Sequence, residues 1–416
     1  MFLRRIACLK RPSKLNRSQF RLISSQAVSL VDGISTSRDP ARPLEDQDKL
    51  LFTPGPLTTS YTTKQAATFD LGSRDTKFIN VIKEVCSGLL EVAEVKDDQF
   101  TTVPMQGSGT FGVESVLTSV VPRDKSICIV ANGAYGVRMS QMAKANGMKY
   151  TLIEFPDDSS PTVSDIDQVL SSDGGEHSHV AVVHSETTSG IINDVETIGQ
   201  LVKKHNRSFI VDAMSSFGAV PVSFDNIDFL VSSSNKCIEG IPGFSFAIAR
   251  KSELAKAKGN ARSLALDLEA QRSGLDAGGQ FRFTPPTHSL LAFRQALQEL
   301  KEEGGVLARA QRYRTNQAVL QQGMQALGFE LYLRPEAAGY IISSYKYPTD
   351  PNWDFTAFYN KLNDRGFVIY PGKVSKADCF RIGHIGRLFP QDTEGLMRAI
   401  EDVCKEMKTA QFYQQQ

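Results

Sequence analysis

From residue 126 onward, apolar runs too short for helices alternate with segments of helical period, and this rhythm restricts the fold more than any other feature of the chain. Strand-like runs at 126–131, 150–155, 180–184, 209–212, 229–232 and 244–249 are interleaved with helix-like segments at 136–145, 164–170 and 195–205. Parallel neighbours need a crossover about as long as a helix, so the pattern predicts a mainly parallel sheet with helices on both faces. Upstream, Phe78, Val81, Ile82, Val85, Leu89 and Leu90 recur at helical spacing within 77–94. After Pro285-Pro286 come long helical patterns at 288–303 and 306–327, short strands near 339–344 and 367–370, and a terminal helix at 392–408. The expected organisation is a large α/β domain at 66–290 and a smaller α+β domain at 291–410, with 49–65 packing against the latter and 411–416 as a Gln-rich tail.

Composition narrows the function classes. With 41% hydrophobic and 22% charged residues the chain is an ordinary globular one, and 47 Lys plus Arg against 46 Asp plus Glu leaves no broad basic surface for nucleic acid. No run of 18 apolar residues is present, so no membrane-spanning helix is expected. Six cysteines show no CxxC pair and no His at metal-ligand spacing, which predicts reduced thiols and no metal. Residues 1–31 hold seven Arg and Lys and no acid; without them the formal net charge falls from +1 to −6. This segment reads as a mitochondrial presequence, with a matrix location, and 32–48, broken by Pro40 and Pro43, as a linker.

The chemistry-bearing residues sit where predicted strands end. Phe209-Ile210-Val211-Asp212 runs three apolar residues into an acid, and the strand near 229–232 runs on to Lys236. Ligands of open α/β sheets collect at carboxyl strand ends. A lysine there can form a Schiff base, and a carboxylate can keep a ring nitrogen protonated, the pair that pyridoxal phosphate chemistry asks for. Each alone also fits a loop-capping acid or a solvated lysine. Gln106-Gly107-Ser108-Gly109-Thr110 precedes a helix and is a candidate phosphate cradle. Tyr135, in Asn132-Gly133-Ala134-Tyr135-Gly136, can stack on a planar ring or pack under a loop. Thr187, in His184-Ser185-Glu186-Thr187-Thr188, can bond a phenolate oxygen or cap a turn. Thr53-Pro54-Gly55-Pro56 is a rigid turn able to form a backbone wall. Arg381 offers a planar fork suited to a carboxylate or phosphonate, though a surface acid would satisfy it equally, and Arg74 is a weaker second anion contact.

On these motifs, together with Asp212-Ala213-Met214-Ser215-Ser216-Phe217-Gly218, Ser234-Asn235-Lys236-Cys237-Ile238-Glu239-Gly240, Phe281-Arg282-Phe283-Thr284 and Phe380-Arg381-Ile382-Gly383, the chain from about 51 to 406 resembles the fold-type I, class-V pyridoxal 5'-phosphate aminotransferases of the alanine–glyoxylate group. The resemblance implies that Lys236 bonds the cofactor and carries the proton, Asp212 pairs with its ring nitrogen, Tyr135 stacks on the ring, and Thr187 touches its hydroxyl. It further implies that Ser108, Gly109 and Thr110 hold the phosphate, that Thr284 or Thr287 arrives from the partner subunit of a homodimer, and that Arg381 binds the acid group of the substrate. The implied substrates are small molecules, 2-aminoethylphosphonate and pyruvate. Alanine–glyoxylate or serine–pyruvate exchange, or a lyase reaction on a hydroxylated aminophosphonate, are the alternatives. A cofactor-binding scaffold without turnover is disfavoured, since Lys236, Asp212 and Arg381 are all present.

Overall fold

The structure, a computed structural model, describes residues 48–409 apart from 373, 375 and 376. The expected presequence, nearly all of the expected linker and the tail lie outside the described residues. In chain order the first half contains β1 (Leu50–Leu51), α1 (Tyr61–Ala66), α2 (Thr76–Val92), β2 (Phe100–Gln106), α3 (Gly109–Val120), β3 (Ser126–Ala131), α4 (Ala134–Ala145), β4 (Lys149–Glu154), α5 (Val163–Ser172) and β5 (His177–Val183). A small hairpin of β6 (Ser185–Glu186) and β7 (Ile191–Ile192) precedes α6 (Val195–Lys204), β8 (Ser208–Asp212), β9 (Phe229–Ser233) and β10 (Phe244–Arg250). Then follow α7 (Lys251–Ala255), α8 (Leu268–Gly278), α9 (Thr287–Glu303), α10 (Gly305–Ala326), β11 (Ile342–Lys346), α11 (Phe355–Asp364), β12 (Phe367–Val368), β13 (Tyr370–Pro371), β14 (Cys379–Gly383) and α12 (Pro390–Met407).

Seven strands form the main sheet in the order β2-β10-β9-β8-β5-β3-β4. β10 runs antiparallel to both neighbours, and all the others run parallel to one another. The carboxyl ends of β2, β3, β5, β8 and β9 therefore share one rim. Alternate residues divide the strands between two cores. Cys128, Val130, Val180, Val182, Phe209 and Val211 pack with α2, α5, α6 and α9 on one face. Ile127, Ile129, Ala181, Val183 and Ile210 pack with α3, α4 and α8 on the other. Strands covered on both faces need apolar residues at successive positions, which is why their sequence reads as runs rather than as alternation.

Among the elements that the sequence pattern does not predict, which include α1, α7 and α11, two have plain physical reasons. β2 carries Thr101, Thr102 and Pro104, a composition that hides a strand; it lies at the sheet's edge, where a residue without an N–H is tolerated. α8 has two glycines and few apolar residues, and it is started by Asp267, whose side chain accepts from the Ala270 amide.

Toward the C-terminus, β11, β14 and β13 form an antiparallel sheet, and β1 pairs in parallel with β12. Leu50 and Phe52 share a third core with Leu320, Met324, Phe380, Leu396 and Ile400. Each such side chain contributes roughly 1.5–3 kcal/mol by leaving water.

Candidate active site

Around the common rim lies a cavity of about 200 Å³ whose lining includes Ser108, Gly109, Thr110, Tyr135, Thr187, Asp212 and Lys236. All but Thr187 stand at or just beyond the carboxyl end of a main-sheet strand, and Thr187 follows β6 of the small hairpin, so the sheet rim gathers them.

Lys236 follows β9 by three residues and is largely buried, and its Nζ donates to the Pro54 carbonyl at 2.6 Å. Gly55, in the left-handed region at φ +118°, lies under the side chain. A Cβ there would stand 2.3 Å from Nζ, so only glycine leaves the amine its place. Burial lowers the Lys236 ammonium from 10.5 to about 8, with the negative charge of Asp212 opposing the shift and Arg381 adding to it. Asp212, also buried, accepts from the Met214 amide at 2.9 Å. Its carboxyl is pushed up to about 6, chiefly by burial, then by Glu186, against the pull of Lys236 and Arg138. An amine poised near neutrality and an acid able to hold a proton thus face one cavity.

Ser108, also on the lining, is the N-cap of α3, yet its hydroxyl makes no capping bond. The first amides of a helix have no intrahelical partner and carry the positive end of its dipole, so this terminus can receive an anion. Gly109 is required by close approach: a Cβ would lie 2.2 Å from Met214 Sδ.

Tyr135 sits in the first turn of α4 with the Arg138 guanidinium 4.8 Å from its ring centroid. The buried Glu186 carboxylate accepts from the amides of Tyr135 (3.2 Å), Gly136 (3.4 Å) and Thr188 (3.0 Å) and from the Thr188 hydroxyl (2.6 Å). It thereby fixes the start of α4 relative to β6. Burial nevertheless raises its carboxyl above the usual range. Neither Glu186 nor Arg138 was singled out from sequence. The available signals were an acid between strand-end hydroxyls, and an arginine three residues after Tyr135 on one helix, hence on the same face. Ser185, also on the cavity, has a buried hydroxyl without a protein partner.

Arg381 is fully buried on β14 and is not among the residues lining the cavity. Its Nε donates to the Pro371 carbonyl at 2.9 Å and Nη1 to the Thr187 carbonyl at 2.8 Å, and it shares a hydrogen bond with the Tyr135 side chain. It is therefore held against the cavity through two of the residues that line it. Thr284 and Thr287 are not brought into the cavity: Thr284 is exposed, its carbonyl accepting from Gln106 Nε2 at 2.9 Å, and Thr287 opens α9. Arg74 is exposed and away from the lining. Cys237 packs inward, its Sγ on the Ser215 carbonyl at 3.1 Å, and burial pushes the thiol up to about 12.

A family profile described as aminotransferase class-V matches residues 57–347. Over 360 residues the chain is 47% identical to a 2-aminoethylphosphonate–pyruvate transaminase of Phocaeicola vulgatus, covering 86% of this chain and 99% of the relative. Over 363 residues it is 48% identical to one from Klebsiella pneumoniae, covering 86% and 98%. Among solved structures, ureidoglycine–glyoxylate aminotransferase from Bacillus subtilis superposes with a TM-score of 0.79 at 22% identity, covering 89% of this chain and 95% of that one. Alanine–glyoxylate aminotransferase from a Nostoc species gives 0.78 at 23%, covering 88% and 98%. At such identities the structures share the fold alone.

The relatives also correct an expectation. Phocaeicola, Klebsiella and Salmonella are bacteria, so the relatives speak against a transit peptide and a mitochondrial location. An Arg-rich, acid-free stretch records composition, and composition alone specifies no import.

Proposed function

The chain belongs to the class-V aminotransferases, which are pyridoxal phosphate-dependent, and from that premise we propose that it transfers the amino group of 2-aminoethylphosphonate to pyruvate, giving phosphonoacetaldehyde and L-alanine. The observation that carries the substrate pair is the 47–48% identity to relatives of that name over 98–100% of their length.

Pyridoxal 5'-phosphate suits the residues present. The uncapped Ser108 and the first amides of α3 offer donors to its phosphate, and the orphaned Ser185 hydroxyl and Thr187 offer donors to ring substituents. Asp212 offers a buried carboxylate to the ring nitrogen, and Tyr135 a face for the ring. When bound, the cofactor supplies an aldehyde to capture the amino group and a ring that withdraws electrons from the donor's amino-bearing carbon.

The chain's own residues do the rest. Lys236 Nζ, with a value near 8, is partly unprotonated at neutral pH and can take the proton from that carbon. Asp212, paired with a protonated nitrogen, returns to its charged form and keeps that proton in place. We assign the acid group of donor and acceptor in turn to Arg381, which lies directly behind the lining residues Tyr135 and Thr187, because a planar guanidinium fits both phosphonate and carboxylate. Exposed Phe111, in the cradle helix, and Phe283, beside Thr284, favour a homodimer that covers them and brings Thr284 or Thr287 of the partner subunit to the phosphate.

Amino-donor profiling of the purified protein is the test. Alanine should form from 2-aminoethylphosphonate plus pyruvate. No activity with that donor, alongside good activity with alanine plus glyoxylate, would replace this reading with the alternative.

A further inference from the structure

Behind the Lys236 turn lies a buried cluster of charges that the reaction does not use. Glu239, Glu303, Arg309, Arg312 and Tyr313 are all nine-tenths buried or more by side chain or residue. Glu239 Oε1 accepts from Arg312 Nη2 at 2.7 Å and from the Tyr313 hydroxyl at 2.6 Å. Arg309 binds Glu303 and donates from Nη1 to the Cys237 carbonyl at 2.8 Å, while Arg312 Nε donates to Glu303 at 2.8 Å. The Glu239 amide itself donates to the Lys236 carbonyl at 2.7 Å, closing the turn that carries the lysine.

The cluster's other side grips the segment that leaves the Arg381 strand. Arg312 Nη1 donates to the carbonyls of Gly386 (2.6 Å) and Leu388 (3.0 Å), and the Gly386 amide donates to the Tyr313 hydroxyl at 3.2 Å. That segment in turn holds the wall beneath the amine: the Gly383 amide donates to the Phe52 carbonyl at 3.0 Å and the Arg387 amide to the Thr58 carbonyl at 2.8 Å, bracketing Thr53-Pro54-Gly55-Pro56.

Two features speak against a plain stabilising role. Buried ion pairs are weak contributors to stability compared with apolar packing, and their best-attested use is to fix register. Moreover, Glu239 sits at φ +66°, a left-handed conformation that glycine would adopt without strain. What glutamate supplies at this position, and glycine would not, is its carboxylate. Its second oxygen, Oε2, is buried without a partner, a further cost borne for that group.

We propose that Glu239 is a positioning residue: through Arg312 and Tyr313 it locks the Lys236 turn to the chain that follows Arg381, and so sets the spacing between the amine and the arginine that holds the substrate's acid group. The proposal rests on the transaminase reading of these two residues. Its test therefore uses whichever amino donor the parent enzyme turns over best, so that a revised substrate leaves it intact.

The holoenzyme and its Glu239→Ala, Glu239→Gln and Tyr313→Phe variants are compared for donor kcat and KM, for cofactor affinity by fluorescence titration, and for Tm. Glu239→Ala should lower kcat/KM for the donor at least tenfold with cofactor affinity within threefold of the parent. Glu239→Gln keeps an acceptor oxygen for Arg312 and Tyr313 and should recover to within about threefold of the parent. Tyr313→Phe, which keeps the ring, should fall severalfold. Equal losses in the Ala and Gln variants, or parental kinetics in a folded Ala variant, overturn the proposal. Should the Ala variant fail to fold, parental kinetics in Tyr313→Phe overturn it, and a severalfold loss at unchanged cofactor affinity supports it.

Discussion

Replacing Lys236 by Met should abolish transamination and, in the cofactor-free protein, make the fold more stable. The lysine's value falls from 10.5 in an unfolded chain to about 8 in the folded one, chiefly through burial. For a group with a depressed folded value, the unfolded state binds more protons between the two values. Its stabilising contribution is present above about pH 10.5 and lost as pH falls through about 8. At pH 7 the loss amounts to about 3 kcal/mol, from roughly 2.5 units at 1.36 kcal/mol each. At pH 10.5 less than about 0.5 kcal/mol of it remains. Methionine keeps a flexible unbranched stem without the charge. Asp212 trims the gain, since removing its positive neighbour raises its own carboxyl further. Urea unfolding of cofactor-free parent and variant, at one protomer concentration and at pH 7 and 10.5, measures the difference. Groups that titrate alike in both proteins cancel. A stability difference that does not shrink with rising pH would refute the claim that burial of this amine depresses its value.

Gly109→Ala should weaken cofactor binding about tenfold, or about 1.4 kcal/mol, because the new Cβ displaces Met214 into the cavity; fluorescence titration checks it, and parental affinity counts against the cradle. Arg381→Lys keeps the charge but loses the fork, so KM for the amino donor should rise about tenfold or more, by analogy with charge-assisted bidentate pairs. An unchanged KM would remove Arg381 from substrate binding. Cys237 should stay unlabelled by iodoacetamide in the native protein at pH 8, since its buried thiol is pushed up to about 12; rapid labelling seen by peptide mass mapping would show that the turn opens.

The sheet was legible because strands sandwiched between helices must be apolar at successive positions, a pattern that survives in 126–131, 180–184 and 229–232. β2 was not, since an edge strand is free to carry Thr101, Thr102 and Pro104. Asp212 and Lys236 could be read from their places at strand ends, and the glycine turn before α3 from its small residues. Glu186 could not: it works by accepting amides from α4, a contact made across the sheet rim that no local pattern encodes. Arg381 was recognised as an anion binder, but its two bonds to backbone carbonyls and its place beside rather than on the cavity depend on how β14 meets the Thr187 turn.

The parallel pairing of β1 with β12 joins Leu50 to Phe367 and Leu51 to Val368. On a ribosome, the segment that supplies the Pro54 carbonyl beneath Lys236 emerges about 300 residues before the strand that anchors it. Contacts so distant in sequence form late, after the loop-closure entropy of the whole intervening chain has been met. The parallel sheet can assemble during synthesis, with its rim of functional groups already gathered, while the lysine's backbone partner still waits for the C-terminal strands. Enzyme activity is thus a property of the completed chain: truncation before residue 366 leaves the wall of the site without its anchor even where every residue lining the cavity is present.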